Sequence, residues 1–124
     1  METCNASSYV ISLIEEFNLS GKTYIVTKLA CGGDLVDYMV AHDINRFPED
    51  HARQIFVQIA GGVKDIHDSG IVHRDLKQLN IFLSDQSETP KVKIGDFGFA
   101  CKLLKDECII KNCGTGGYIA PEII

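Results

Sequence analysis

The residues with most chemistry to offer lie in His73-Arg74-Asp75-Leu76-Lys77-Gln78-Leu79-Asn80 and, further along, in Asp96-Phe97-Gly98. Asp75 is a carboxylate that can accept or orient a hydroxyl proton. Asn80 and Asp96 carry hard oxygens of the kind magnesium takes. Lys77, two positions after Asp75, adds a fixed positive charge. A carboxylate beside an attacking hydroxyl, oxygens for a metal and a cation where negative charge shifts are the requirements of phosphoryl transfer from ATP. No other cluster in the chain offers this combination.

These stretches, with Ala120-Pro121-Glu122 after them, stand in the order and rough spacing of the H-R-D-L-K-x-x-N, D-F-G and A-P-E motifs. A bare D-F-G could be an ordinary turn, but the set together resembles the eukaryotic protein kinases. The resemblance implies that Asp75 is the catalytic carboxylate, that Lys77 and Asn80 complete the catalytic loop, and that Asp96 and Asn80 bind magnesium. Asp96, Phe97 and Gly98 would open the activation segment and Thr115, Ala120, Pro121 and Glu122 would close it. Lys77, and Thr115 within Gly114-Thr115-Gly116-Gly117-Tyr118, are similar to the serine/threonine group. Gly-Gly-Asp-Leu and Asn-Ile-Phe-Leu resemble calmodulin-regulated and polo-like members. Leu79 replaces the acid of many basophilic relatives, and Lys28 an acidic residue usual at its position.

The same resemblance makes 30–35 a hinge between lobes. Thr27 matches the gatekeeper, the Lys28 carbonyl and Ala30 amide would bond adenine, Asp34 would meet the ribose, and Phe82 would lie under the adenine ring. Taken alone, Gly32-Gly33 could merely end a strand. The loop 99–114 contains no Ser, Thr or Tyr. In relatives Arg74 often pairs with a phosphorylated side chain there, and Asp106 or Glu107 is expected to substitute.

The elements that must position these residues follow from local pattern. Tyr9 to Phe17 reads as a strand, Ser20-Gly21-Lys22 as a turn, and Lys22 to Leu29 as a β-rich partner. Asp34 or Asp37 opens a short helix to about Ala41. Pro48-Glu49-Asp50 starts the main helix, whose apolar stripe is Ala52, Ile55, Ile59, Val63 and Ile66, and Gly70 ends it. Gly61-Gly62 inside that helix costs about 1 kcal/mol per glycine relative to alanine, which points to close packing. Ile81 to Leu83 and Lys91 to Ile94 make a strand pair around a polar turn at 84–90, delivering Asp96 at its end.

Composition bounds the rest. The chain has 124 residues, 45% hydrophobic and 23% charged, with a formal net charge of -5. No apolar run can cross a bilayer, and the acidic balance argues against a nucleic-acid surface. Five cysteines, Cys4, Cys31, Cys101, Cys108 and Cys113, show no C-x-x-C pair and read as reduced, intracellular (cytoplasmic) thiols. A two-lobed kinase domain needs about twice this length. Before Tyr9 there is no room for a Gly-rich phosphate loop or a Val-Ala-x-Lys strand, and neither Lys22 nor Lys28 can replace that lysine. The expectation is a partial α+β protein kinase-like fold across 1–124: the end of the small lobe at 1–29, the hinge at 30–35 and part of the large lobe at 36–124. Its implied ligands are ATP, magnesium and a protein bearing a Ser/Thr hydroxyl. The alternative is a catalytically inactive kinase-like module that binds partners.

Overall fold

The computed structural model describes residues 7–103 and 113–123. Cys4, Cys108, and the expected pairing of Arg74 with Asp106 or Glu107 lie outside them.

Strands β1 (Leu13–Leu19) and β2 (Lys22–Thr27) form an antiparallel hairpin in which Leu19 pairs with Lys22. Ser20 and Gly21 between them have φ of 50° and 75°. That doubly left-handed turn matches the twist of the strands it joins. The expected strand from Tyr9 is corrected at its start. Ile94 N–H donates to Tyr9 O at 2.7 Å and Ile11 N–H donates to Ile94 O at 2.8 Å, so 9–11 runs parallel to a later strand. The buried side chain of Val10 sets this, because only the later strand offers it a core. The hairpin itself leaves Ile14, Leu19 and Ile25 exposed. Strand β2 also ends earlier than expected, since Lys28 and Leu29 leave it for the cleft edge.

Helix α1 (Leu35–Ala41) starts at Asp34, whose Oδ1 accepts from the N–H groups of Val36 and Asp37 at 2.8 and 2.9 Å. Asp37 Oδ2 accepts from Asp34 N–H at 3.2 Å, which closes a capping box. Helix α2 (Glu49–Asp68) has Pro48 as its N-cap and stops where Gly70 turns left-handed with φ 68°. Ile55 and Ile66 of the expected stripe are buried and Ile59 and Val63 are partly so. Ala52 is exposed, a correction that follows from its position in the first turn, before α2 reaches the core. Gly62 takes a buried place on the same face, because a Cβ there would stand 2.8 Å from Ile94 Cδ1 and 3.0 Å from Tyr9 Cβ. Close packing therefore accounts for this glycine.

Beyond α2, β3 (Ile71–Val72) pairs with β6 (Cys101–Lys102), and β4 (Ile81–Leu83) pairs with β5 (Val92–Ile94), both antiparallel. The β4–β5 ribbon packs against both helices. Leu83, Val92 and Ile94 are fully buried while Lys93 turns away, the period-2 pattern of a half-buried strand. Val10, Leu35, Tyr38, Ile55, Ile66 and Ile81 complete most of this core. No helix among the described residues is long and apolar enough to cross a membrane.

Candidate active site

The catalytic loop leaves β3 and returns into β4, so its two ends are held by separate ribbons. His73 is buried, with Nε2 2.8 Å from Gly95 O. Its Nδ1 accepts from Asp75 N–H at 3.3 Å. A carbonyl can only accept and an amide N–H only donate, which assigns the Nε2–H tautomer. The His73 ring lies 4.9 Å from Phe97 in a tilted contact. His73 thus ties the loop to Gly95 through Nε2 and to Phe97 through its ring face, while Nδ1 braces the loop at Asp75.

Asp75 is 4% exposed and its carboxylate accepts from three side chains. Lys77 Nζ donates to Oδ2 at 2.8 Å, Thr115 Oγ1 donates to Oδ1 at 2.6 Å, and Asn80 Nδ2 reaches Oδ2 at 3.2 Å and Asp75 O at 2.7 Å. Lys77 Nζ also donates to Thr115 Oγ1 at 2.6 Å. The Lys77 hydrogen bond, then that of Thr115, holds the carboxyl below its ordinary 3.8, against the opposing effect of burial. Asp75 is therefore a charged acceptor at neutral pH, as a group that orients a hydroxyl must be.

Asn80, which ends a 3-10 turn just before β4, and Asp96, two residues beyond β5, are brought near each other by the 3.0 Å bond from Gly95 N–H to Asn80 O. Asp96 is exposed and left-handed at φ 56°, a backbone region unusual for an L side chain. Its Oδ1 accepts from Gly98 N–H at 3.2 Å. Among the described residues Asp96 Oδ2 and Asn80 Oδ1 meet no protein donor. Two free oxygens, one from a carboxylate and one from an amide, suit magnesium, which uses one or two protein ligands together with phosphate oxygens and water. No group of three or more His, Cys, Asp or Glu side chains among the described residues could hold a metal alone.

Asp96 also lines a cleft of about 1000 Å³ that runs to the end of β2. Thr27, Lys28, Ala30, Asp34 and Phe82 all line it, so the adenine-side residues expected from sequence are brought together. Among the described residues neither Lys28 O nor Ala30 N–H has a protein partner, although Lys28 N–H donates to Ser12 O at 2.9 Å. These groups offer an acceptor and a donor two residues apart. Phe82 lies where a Cβ on Gly95 would meet its ring at 2.7 Å, so only glycine at 95 lets the ring come this close to the chain. Asp34 Oδ1 is already committed to the α1 cap, which leaves Oδ2 for any ligand.

Lys28 is a cation beside the cleft, and its neighbourhood is unusual. Burial, then Lys28, then Lys91 hold the Lys93 ammonium below its ordinary 10.5, and its Nζ donates to Ser8 O at 2.5 Å. Two further links had no signal in the sequence. Arg74, left-handed at φ 67°, donates from Nε to Phe99 O at 2.6 Å, and the Tyr118 hydroxyl hydrogen-bonds Gln78 Oε1. Both join the catalytic loop to residues of the later segment. Ala120, Pro121 and Glu122 are exposed, and Pro121–Ile123 forms one 3-10 turn. Cys31 is exposed, Cys101 and Cys113 are half-buried, and all are free thiols.

The described residues thus form part of an α+β fold with a buried, lysine-paired Asp75 and a cleft lined by Asp96 and the Lys28–Ala30 backbone. The family profile described as protein kinase domain matches residues 1–124, and the chain belongs to that family. It is 41% identical over 118 residues to a serine/threonine-protein kinase H1 homolog of Pinctada fucata, covering 94% of this chain and 28% of the relative. Human serine/threonine-protein kinase ULK1 is 37% identical over 121 residues, covering 93% and 11%. Calcium/calmodulin-dependent protein kinase type 1 of Caenorhabditis briggsae is 36% identical over 115 residues, covering 93% and 32%. The chain spans about a third or less of the length of these relatives.

Proposed function

We propose that this chain supplies the adenine edge, the catalytic loop and the metal-binding turn of a site that transfers phosphate from ATP to Ser/Thr hydroxyls of proteins. The observation that carries this reading is one cleft lined by Asp96 and by Lys28 and Ala30, whose Lys28 O and Ala30 N–H have no protein partner among the described residues. Adenine sits on that edge against Phe82, and the phosphates extend toward Asp96. Asp96 and Asn80 would hold magnesium, which when bound would supply neutralising charge to the phosphates. Asp75 accepts the proton of the substrate hydroxyl or orients it, and Lys77, bonded to Asp75 at 2.8 Å, places positive charge beside the transferring group. We assign the chain to the cell interior on its thiol pattern.

The test is Mg-ATP binding by the 124-residue chain beside an Asp96→Asn control, followed by phosphate transfer to protein substrates. Saturable binding that Asp96→Asn weakens about tenfold or more supports the reading. A compact chain that binds no nucleotide overturns it and leaves the alternative, a kinase-like module that engages partners. The exposed apolar Phe56 and Val57 on α2 and Ile14 on β1 favour that alternative.

A further inference from the structure

The turn 84–90 that closes the β4–β5 ribbon carries hydroxyls at Ser84, Ser87 and Thr89. The two serines are committed. Ser84 Oγ donates to Asp85 Oδ2 at 2.6 Å and accepts from Lys91 N–H at 2.9 Å. Ser87 N–H donates to Asp85 Oδ1 at 2.9 Å, and Ser87 O accepts from the Tyr38 hydroxyl at 3.0 Å. Hydrogen bonds from Ser84 first, then Ser87, hold the Asp85 carboxyl below its ordinary 3.8. Thr89 is different: it is exposed, and among the described residues its hydroxyl has no partner.

Thr89 also stands immediately before Pro90, and a proline disfavours helical backbone in the residue ahead of it and favours an extended one. Burial alternates from there on. Pro90, Val92 and Ile94 are buried, whereas Thr89 and Lys91 are exposed and Lys93 is half-buried. Gln58 of α2 pins this run by donating to Pro90 O at 3.3 Å and accepting from Val92 N–H at 3.0 Å. Thr89, Lys91 and Lys93 therefore emerge on the outer side of one extended run, about 7 Å apart from one to the next. That side is basic. Burial, then Lys28, then Lys91 hold the Lys93 ammonium below its ordinary 10.5, and among the described residues none of the three lysines is in an ion pair. Lys93 gives one hydrogen bond to Ser8 O at 2.5 Å, which leaves it further donors. The carboxylates that oppose a new negative charge on this turn are Glu88 and Asp85, which together with burial push the Tyr38 hydroxyl up, and Asp85 is already held by both serines.

We propose that Thr89 is a phosphorylation site whose phosphate is received by Lys91 and lies within the field of Lys93. The turn is at the far end of the β4–β5 ribbon from Asn80 and Asp96, so the chain's own catalytic loop does not reach it. The modifying enzyme is a separate protein kinase that takes a threonine followed by proline, with ATP as donor. Thr89 Oγ attacks the γ-phosphorus, the bond to the ADP oxygen breaks, and the hydroxyl proton passes to that enzyme's base. The ester carries about −1.5 to −2 charge and three acceptor oxygens. It replaces repulsion among lysines with attraction and ties the turn to β5, the strand that leads into Asp96. The inference goes beyond the ATP reading above and does not depend on it.

The experiment treats the 124-residue chain with Mg-ATP and a proline-directed protein kinase, maps the product by mass spectrometry, and compares modified and unmodified chains by thermal melts and lysine-ammonium NMR. Expected is phosphate on Thr89, kept in Ser87→Ala and lost in Thr89→Ala, whose exposed substitution should leave the melting curve of the unmodified parent unchanged. The modified chain should melt several degrees higher at low salt, with the gain shrinking at high salt, and Lys93 should titrate closer to its ordinary value. Lys91→Ala should accept the phosphate and lose most of the melting shift. Incorporation at Ser84 or Ser87 in place of Thr89, or none into a chain with an intact melt, overturns the inference. A phosphorylated Thr89 that leaves both the melt and the Lys93 titration unchanged, or an undiminished shift in Lys91→Ala, overturns it as well.

Discussion

Thr115 Oγ1 donates to Asp75 Oδ1 at 2.6 Å across 40 residues of sequence, while Lys77 Nζ bonds both partners. The hydroxyl of the later segment therefore occupies one acceptor position on Asp75 Oδ1. The order of the later segment is thereby coupled to the charge on Asp75 and Lys77.

That coupling gives a pH prediction. Asp75 has a folded pKa below the ordinary 3.8, with Lys77 as the largest cause and Thr115 the next. A depressed carboxyl contributes stability that is fully present above its unfolded value and lost as pH falls through its folded value. Thr115→Val should raise the Asp75 pKa, and Lys77→Met should raise it more. Carboxyl-carbon NMR titration reads this directly, and acid-range melts should lose the corresponding pH-dependent stability in the same order. Identical Asp75 titration in all three chains would show that these donors do not hold the charge.

The glycines of α2 should behave differently from each other. Alanine in a helix interior gains about 1 kcal/mol over glycine, whereas overpacking a filled core costs about 1–3 kcal/mol. At Gly62 the new methyl meets Ile94 Cδ1 at 2.8 Å and the Tyr9 backbone oxygen at 3.3 Å, inside the core. At Gly61 it meets only the half-buried Tyr9 ring, at 3.0 Å. Gly62→Ala should lower the melting temperature by several degrees and Gly61→Ala should leave it nearly unchanged. Thermal melts of the two variants check the ranking.

Lys93 experiences two like charges and no ion-pair partner among the described residues. Its folded pKa is depressed, so its charge opposes folding at neutral pH, and that penalty is relieved only as pH rises through the folded value toward 10.5. Lys28→Glu replaces a repulsion with a partner. The expected gain is about 0.5–1 kcal/mol at low salt, fading in high salt because both groups are near the surface. Denaturant titrations at two ionic strengths would expose a wrong sign or a salt-independent effect.

Ser20 adopts φ 50° beside Gly21 in the tight turn of the hairpin. Asparagine and glycine tolerate this region better than serine. Ser20→Asn and Ser20→Gly should each stabilise the hairpin by about 0.5–1 kcal/mol. Amide hydrogen exchange of Leu19 and Lys22 measures this locally, and faster exchange in both variants would contradict the turn assignment.

How much could be seen beforehand depended on sequence distance. The motif residues, the Ser20-Gly21 turn, a helix start at Asp34 or Asp37, the start of α2 at Pro48 and its end at Gly70 were legible because each is settled by a few neighbouring residues, and the structure chose Asp34 as the cap. Tyr9 to Phe17 was misjudged as one strand because its β-rich pattern is the same whether the partner is β2 or β5. The burial of Val10 against Ile94 decides between them, and no local pattern encodes it. Gly62 was recognisable as an anomaly, but its cause needed Tyr9 and Ile94 to arrive from distant parts of the chain.

The sequence by itself determined the chemistry on offer: carboxylates at 75 and 96, an amide at 80, a lysine at 77 and the caps and turns that shape the elements around them. Tertiary structure decided which of those groups meet. It joined Thr115 to Asp75, Arg74 to Phe99, and Lys102 to the cleft that holds Asp96. The reason is physical. Hydrogen bonding within a turn or cap depends on a few local dihedrals. A bond across tens of residues exists only once burial of Ile66, Leu83 and Ile94 has brought the strands and helices that carry its partners together.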